Sequence, residues 1–259
     1  MMRLTFLGTG TSCGVPVLGC TCKVCSSHDS KDKRLRTSAL LETASTRILI
    51  DCGPDFRQQM MGRPFRPIDA ILVTHAHYDH IGGIDDVRPY CKLTDIEVYG
   101  NVIAVESMHR MLPYCFPPKD QPKYPGVPEI RLHEVFPLQP FTVGDISVDP
   151  IEVMHANLPI LGYRFGPLAY ITDIKTIASD MEERLKGVDT LVVSALRFTH
   201  PHHSHFLIDD AIGFARRVGA KHTFLVHACH EIGLHEEVNR QLPPDIRLAY
   251  DGQVIELNK

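Results

Sequence analysis

The chain has 259 residues, 44% of them hydrophobic and 22% charged, with a formal net charge of −4 at pH 7. This length allows one large α/β domain or two small ones, and nothing in the charge balance suggests a general nucleic-acid binder. No apolar stretch approaches a membrane span, and the N-terminus lacks the apolar core and cleavage site of a signal peptide. We therefore expect a cytoplasmic protein whose eight cysteines are reduced or metal-bound.

Strand-like and helix-like segments follow one another along the whole chain, without a linker or repeat that would divide it. Short apolar runs bounded by turn residues predict strands at 4–7, 38–41, 48–50, 70–73, 97–99, 146–153, 169–172, 190–194 and 223–226. Helical patterns occupy 55–61, 102–112, 177–185, 208–218 and 231–240. The segment 246–257 reads as a hairpin on an Asp-Gly turn. The mixture predicts one domain over 1–259, an α/β sandwich with helices outside two mixed sheets.

The proline-rich segment 113–128 is the one long irregular stretch in this pattern. Its role is left open between a plain surface loop, a lid and a dimer contact.

A dense cluster of metal-binding side chains follows the apolar run that ends at Val73. Residues 74–80 read Thr-His-Ala-His-Tyr-Asp-His, so the cluster contains His75, His77, Asp79 and His80. Imidazole suits zinc and other first-row metals, and carboxylate widens the choice towards manganese. A strand that ends in such a cluster predicts a metal site at the edge of a sheet.

The spacing His-x-His-x-Asp-His resembles the signature of the metallo-β-lactamase superfamily, which implies an αββα sandwich and a dinuclear metal site. The family requires three later ligands, and His155, Asp173 and His227 stand in the matching order after strand-like runs. By this resemblance, one Zn or Mn ion would be bound by His75, His77 and His155. The second would be bound by Asp79, His80 and His227, and Asp173 would bridge the two.

Three cysteines form a second cluster in the segment 20–25, Cys-Thr-Cys-Lys-Val-Cys. Thiolates this close together favour zinc, which then needs a fourth ligand. His230 is the preferred candidate, and Cys229, Cys13 and His28 remain alternatives. We therefore expect a structural zinc on Cys20, Cys22, Cys25 and His230.

This cysteine pattern is similar to the branch of the superfamily that contains the phosphoribosyl cyclic phosphodiesterase of phosphonate catabolism. The same branch contains a quinone-cofactor biosynthesis protein. That protein typically lacks an intact His-x-His-x-Asp-His, so the complete motif favours the phosphodiesterase side.

The resemblance also implies catalytic roles. A hydroxide held between the two metals would attack a phosphoryl group, with Asp79 contributing at the metals. A histidine just before the helix at 208–218 would protonate the leaving group, and this position corresponds to His205 in the His-rich segment 200–205. Asp51, which follows the strand at 48–50, would orient the metal ligands.

The resulting hypothesis is a dinuclear phosphodiesterase that opens a small cyclic phosphate, such as a phosphoribosyl cyclic phosphate or a nucleotide-like compound. Its partner would be this small phosphodiester, with no membrane, no stable nucleic-acid partner and a homodimer as an open option. The alternatives are a tRNA 3′-processing nuclease, a thioester or lactone hydrolase of the glyoxalase II kind, and a quinone-cofactor biosynthesis accessory protein. The sequence leaves open the physiological substrate, the pathway, the native metal and the oligomeric state.

Overall fold

The computed structural model describes residues 1–118 and 120–257. The strands are β1 Met2–Gly8, β2 Ser38–Glu42, β3 Arg47–Ile50, β4 Ala70–Leu72, β5 Ile96–Gly100, β6 Ile130–Glu134, β7 Phe141–Val143, β8 Ile146–His155, β9 Leu158–Phe165, β10 Leu168–Ile171, β11 Thr190–Ser194, β12 His222–Val226, β13 Ile246–Leu248 and β14 Val254–Leu257. The α-helices are α1 Phe56–Met60, α2 Tyr78–Ile81, α3 Val102–Met111, α4 Ser179–Glu183, α5 Ile208–Val218 and α6 His235–Gln241.

These strands form two mixed sheets of seven strands each. The first has the order β14-β1-β2-β3-β4-β5-β6, and the second has the order β13-β12-β11-β10-β9-β8-β7. In the first sheet the strands from β3 to β6 are parallel and the others antiparallel. In the second the strands from β10 to β13 are parallel and the others antiparallel.

Apolar side chains on both faces of each sheet explain why the sheets stack with helices outside. One cluster joins the facing surfaces of the two sheets and includes Phe6, Ile50, Tyr163 and Tyr170. A second packs α4, α5 and α6 on the outer face of the second sheet, and a third packs α1 and α3 on the first. The predicted αββα sandwich is therefore confirmed.

Helix α5 shows how local sequence fixes an element boundary next to the site. At its start the carboxylate of Asp210 accepts the backbone N–H of Leu207 at 3.0 Å. At its end Gly219 takes a left-handed conformation, with φ of 74°, and Arg216 and Arg217 occupy the last turn. Both ends thus follow the usual preferences for helix caps and for charge along the helix dipole.

The predicted terminal hairpin is wrong, because β13 and β14 belong to different sheets. β13 pairs with β12, whereas β14 pairs with β1. The Asp251-Gly252 turn is present, with φ of 86° at Gly252, but it carries the chain from one sheet to the other. The backbone N–H of Gly252 donates to the carbonyl of Phe6 at 2.8 Å, so the turn is bound to β1. Each strand therefore pairs with an open sheet edge instead of with its neighbour in sequence.

Several boundaries also differ from prediction. Strands β6, β7 and β9 were not predicted, and the helix expected over 231–240 begins at His235 after a short 3₁₀ turn at His230–Ile232. The proline-rich segment 113–128 contains neither strand nor α-helix among its described residues, and its Lys119 lies outside them. Among the described residues no helix has both the length and the apolar character needed to cross a membrane.

Candidate metal centre

Strand ends from both sheets converge at one edge of the sandwich, and there the backbone turns sharply. Asp51 and His227 directly follow β3 and β12, and Asp173 lies two residues after β10. All three have left-handed backbone conformations, with φ of 59° at Asp51, 54° at Asp173 and 59° at His227. Such conformations are unfavourable outside glycine and concentrate at functional sites. They aim the three side chains at a common point, and the sequence patterns did not indicate these backbone conformations.

The segment after β4 brings its four polar side chains to the same point. His75 is buried three residues after the end of β4, and the single-turn helix α2 places Asp79 and His80 on its inner side. The backbone N–H of Cys52 donates to the carbonyl of His80 at 2.7 Å, which holds α2 against the loop after β3. A Cβ at Gly53 would lie 2.0 Å from the carbonyl oxygen of Asp79, so this close packing requires glycine.

His75, His77 and His155 form the first group of possible ligands. Their ligand nitrogens lie within 4.8 Å of one another. His75 Nε2 is 2.9 Å from His77 Nδ1, and the two rings have centroids 5.4 and 5.2 Å from the ring of His155. The Nδ1 of His155 faces the carbonyl oxygens of Asp173 at 2.8 Å and Ser204 at 3.0 Å. A proton on Nδ1 then satisfies the carbonyls and leaves Nε2 free to bind a metal.

Asp79, His80 and His227 form the second group, and Asp173 lies between it and His75. His80 Nε2 is 3.2 Å from Asp79 Oδ2 and 3.4 Å from Asp173 Oδ2. His227 Nε2 is 3.5 Å from Asp79 Oδ2 and 3.1 Å from Asp173 Oδ1. The two oxygens of Asp173 therefore face the two histidines of the second group. Asp173 also forms groups of possible ligands with His75 and with His155 of the first group, and this position between the groups suits a carboxylate shared by two ions. The structure thus brings all seven predicted ligands together.

The donor set fits divalent cations. The Nε2 atoms of His80 and His227 are buried and make no hydrogen bond to the described residues. Burial would raise the pKa values of Asp79 and Asp173, but the neighbouring histidines hold both well below the usual range. Ionised carboxylates and unpartnered imidazole nitrogens in a buried cluster are the ligands that zinc and manganese accept.

Asp51 supports this cluster from behind. Its Oδ2 lies 2.7 Å from Nδ1 of His80, and its Oδ1 accepts the backbone N–H of Thr74 at 2.8 Å. The side chain is fully buried, and burial raises its pKa despite His80. The contact fixes the ring of His80 so that Nε2 points to Asp79 and Asp173. This is the geometry that the predicted orienting role of Asp51 needs.

His205 lies at the rim of the cluster. Its Nδ1 is 3.4 Å from Asp173 Oδ1, and its ring centroid is 4.7 Å from that of His155 and 4.9 Å from that of His227. Burial lowers the pKa of His205 to about 3. His155, Asp173 and His205 also form a group of possible ligands, so the geometry is compatible with both a proton-transfer and a ligand role. The neighbouring His200 and His203 are exposed.

An open cleft of about 400 Å³ borders the first ligand group. Its walls are formed by His77, His155, Ala156, Asn157, Leu158, His203 and Ser204. Ala156 has a left-handed backbone, with φ of 52°, and turns the chain so that Asn157 enters the wall. Neither Asn157 nor His203 was predicted. The sequence offered one signal for them: Asn157 lies two residues after the predicted ligand His155, and His203 lies two residues before His205.

The three cysteines of the segment 20–25 lie beside His230, about as predicted. Nδ1 of His230 is 3.3 Å from Sγ of both Cys20 and Cys22, and the four ligand atoms including Cys25 lie within 4.8 Å. The backbone N–H of Cys25, followed by His230, lowers the pKa of Cys22 to about 6, whereas burial raises the pKa of Cys25 to about 11. Four donors at this spacing fit a tetrahedral zinc.

Comparison with known proteins identifies the family. The sequence profile described as the beta-lactamase superfamily domain matches residues 46–228. The crystal structure of a diphosphatase from the PhnP family is 38% identical, with a TM-score of 0.89, and the match covers 98% of this chain and 96% of that one. Zinc-bound PqqB from Methylobacterium extorquens is 18% identical, with a TM-score of 0.78 over 98% of this chain and all of that one, which indicates the fold alone.

One curated relative carries the name of an acyl-transfer enzyme instead of a phosphoryl-transfer or hydrolytic one. The octanoyltransferase of Porphyromonas gingivalis is 45% identical over 252 residues, which is 97% of this chain but 51% of that protein. The chain therefore spans about half the length of this relative.

Proposed function

This chain belongs to the beta-lactamase superfamily and is a metal-dependent hydrolase, and we propose that its substrate is a small phosphodiester such as a cyclic sugar phosphate. The observation that carries this proposal is the position of His205 beside Asp173, at the rim of a cluster of seven possible metal ligands. The resemblance to a PhnP-family diphosphatase over nearly the whole chain supports phosphoryl chemistry.

We assign His75, His77 and His155 to one ion, Asp79, His80 and His227 to the other, and Asp173 to both. When bound, two divalent ions supply Lewis-acid polarisation of a phosphoryl group and a water of lowered pKa. The protein supplies the placement of the ligands, and Asp51 orients the ring of His80 through the 2.7 Å contact at Nδ1. Asp79 and Asp173 provide the negative charge that retains the cations.

His205 is the proposed proton donor to the departing alkoxide. With a pKa of about 3 caused by burial, its ring is neutral at pH 7 before substrate binds. An anionic phosphate beside the ring favours its protonated form, so the pKa should rise when substrate binds. The oxygen of a sugar is a poor leaving group and needs this proton, whereas nitrophenolate leaves without it.

The cleft limits the size and charge of the substrate. Its volume of about 400 Å³ fits a small molecule, and its wall contains Asn157, His203 and Ser204 but neither lysine nor arginine. Binding of RNA relies on lysine and arginine contacts to many phosphates. The lining therefore favours a single phosphodiester with a neutral, hydroxyl-bearing group over a tRNA precursor.

We further propose that Cys20, Cys22, Cys25 and His230 bind a structural zinc. Four protein ligands complete a tetrahedron and leave no position for a substrate. The site would then stabilise the loop that carries the cysteines, without taking part in the chemistry.

Replacement of His205 by alanine tests the assignment. Turnover of a ribose cyclic phosphate should fall by about 10²–10⁴-fold, and that of a nitrophenyl phosphodiester by less than about tenfold, because the second leaving group needs no proton. Metal content should stay unchanged. Equal losses on both substrates, or loss of metal, would show that His205 positions the phosphate or binds an ion. The exposed His222, which starts β12 and does not line the cleft, offers a His→Ala control.

Acyl-group hydrolysis is the second candidate, because the octanoyltransferase relative is 45% identical to this chain. The match covers 51% of that protein, so its remaining half is available to account for the transferase activity. A panel of phosphodiesters and acyl thioesters, assayed with zinc and with manganese, separates the two. Thioester hydrolysis without phosphodiester hydrolysis would overturn the phosphodiesterase proposal.

A further inference from the structure

We propose that Arg197 is a positioning residue for the histidine loop, residues 198–205. It fixes this loop against the segment 227–231, which connects the two clusters of candidate metal ligands. Its guanidinium is the link between this loop and Glu231, the neighbour of His230. The catalytic consequence of this link rests on the proposed function, because it acts through His205. The mechanical consequence does not depend on the reaction.

The histidine loop is closed at its base by backbone hydrogen bonds. The N–H of Leu196 donates to the carbonyl of Phe206 at 3.0 Å, and that of Ile208 donates to the carbonyl of Arg197 at 3.1 Å. Between these points the described residues show no backbone–backbone hydrogen bond from the loop to the rest of the chain. The loop therefore depends on side chains to define its shape.

Three side chains outside the loop donate to its carbonyl groups. Nε of Arg197 donates to His200 at 3.1 Å, Nδ1 of His155 faces Ser204 at 3.0 Å, and Nζ of Lys175 lies 3.4 Å from His205. The last two act on the end of the loop nearest the cluster. Arg197 acts on the far end, where His200 has a left-handed backbone with φ of 62°. A strained residue of this kind persists only where its surroundings hold it.

The guanidinium of Arg197 also contacts the segment 227–231. Nη1 of Arg197 contacts the carboxylate of Glu231, and only 19% of the Arg197 side chain is exposed. The backbone N–H of Cys229 donates to the carbonyl of Leu196 at 3.1 Å, so the two segments already lie side by side. Arg197 extends this pairing to the histidine loop. One guanidinium thus makes two contacts at fixed geometry, which the single ammonium of lysine cannot reproduce.

The expected result of losing this link is a misplaced His205. His205 must lie within proton-transfer distance of the leaving group, and its present distance of 3.4 Å to Asp173 depends on the shape of the loop. A displacement of about 1 Å is sufficient to cost about 10²-fold in rate. The metal ligands themselves come from strand ends and should keep their places.

The test compares Arg197→Gln, Arg197→Lys and Glu231→Gln with the wild type. Arg216→Gln is the matched control, because Arg216, which lies on α5, forms an exposed ion pair with Asp245. Amide hydrogen exchange of Leu196, Phe206 and Ile208, whose N–H groups are hydrogen-bonded at the base of the loop, is measured first, since it requires no substrate. We expect exchange in Arg197→Gln to be about tenfold faster there and unchanged in β10 and β12, because the loop has few other anchors. Arg197→Lys should lie between it and the wild type.

Turnover gives the second readout. In Arg197→Gln, kcat for a ribose cyclic phosphate should fall about 10–100-fold, whereas kcat for a nitrophenyl phosphodiester should fall less than about threefold. Glu231→Gln should show the same pattern to a smaller degree, and Arg216→Gln should behave as the wild type.

Unchanged exchange in Arg197→Gln would overturn the proposal whatever the activities are. Faster exchange with equal losses on both substrates would overturn the link to His205. If the wild type hydrolyses no phosphodiester, the proposed function fails, and exchange alone decides whether Arg197 holds the loop.

Discussion

The two ligand clusters lie three residues apart in the chain, at His227 and His230, but they are built in opposite ways. The seven-ligand cluster takes its side chains from the ends of β4, β8, β10 and β12, which belong to both sheets. The cysteine cluster takes three of its four ligands from the segment 20–25, which contains no strand and no helix. The first cluster is positioned by the fold, whereas the second, with zinc bound as we propose, would position a segment that lacks regular structure.

The two clusters should therefore respond differently to the loss of one ligand side chain. Backbone pairing on both sides holds the strand ends, so removing one ligand there should abolish chemistry and leave the fold intact. The segment 20–25 pairs with no strand, and a metal bound to it would contribute to folding free energy. A carboxylate shared by two ions is therefore expected to matter for rate, and a cysteine of the loop for stability.

The largest effect is expected for Asp173→Asn. Asparagine tolerates the left-handed conformation of this position, so the substitution removes charge with little change of backbone. Turnover should fall by at least about 10³-fold on every phosphodiester, because both ions lose a shared ligand. Metal analysis should show fewer than two ions at this site, and the melting temperature should change little.

Asp145→Asn, on the turn between β7 and β8, is the control and should retain full activity. Activity within tenfold of the wild type with metal content retained would show that Asp173 is not the shared ligand.

A smaller effect on rate and a larger one on stability are expected for Cys22→Ser. Zinc content should fall by one ion per chain, and Tm should fall by roughly 5–10 °C, as about 2–3 kcal/mol of stability is lost in a domain of this size. Cys13→Ser is the matched control, because Cys13 is an exposed thiol outside the group of four ligands. If Cys22→Ser kept both its zinc and its melting temperature, the cysteines would be ordinary packing residues.

The smallest effect on stability is expected from a group of buried polar side chains between the loop before β2, which carries the segment 20–25, and the rest of the protein. Nη1 of Arg34 donates to Thr9 at 2.7 Å and Nη2 lies 3.3 Å from His235, while Thr9 in turn donates to Asp251 at 2.7 Å. Burial raises the pKa of Asp251 to about 6 and, together with Arg34, lowers the pKa of His235 to about 4.

These two shifts have opposite signs. Between about pH 4 and 6 the folded state holds a proton on Asp251 that the unfolded state has lost, so stability falls as pH rises. Between about pH 4 and 6.5 the unfolded state holds a proton on His235 that the folded state lacks, so stability rises with pH. In the wild type the two contributions offset each other.

Asp251→Asn should therefore expose the contribution of His235. Its free energy of unfolding, measured by urea titration, should rise with pH relative to the wild type between about 4 and 6, by up to ~1.4 kcal/mol per pH unit. His235→Gln should show the opposite slope. Parallel pH profiles for all three proteins would mean that these groups do not titrate on unfolding.

The sequence by itself predicted which residues the structure brings together at the candidate metal centre. The motif at 74–80 and the order of His155, Asp173 and His227 are local patterns, each a polar residue after an apolar run, and they need no knowledge of distant contacts. The cysteine spacing is equally local. The αββα class followed from the same motif through its resemblance to a known family, and the structure agrees with it.

Only the tertiary structure decided how distant segments meet. It groups His230, which the sequence favoured over Cys229, Cys13 and His28, with the three cysteines; distances between remote residues are not encoded in spacing. It assigned β13 and β14 to different sheets, although an Asp-Gly turn between two apolar runs normally predicts a hairpin. β13 pairs with β12 and β14 with β1, and these pairings join segments far apart in the sequence. The contact of Arg197 with the histidine loop has the same origin, since long side chains choose partners only after the backbone is in place.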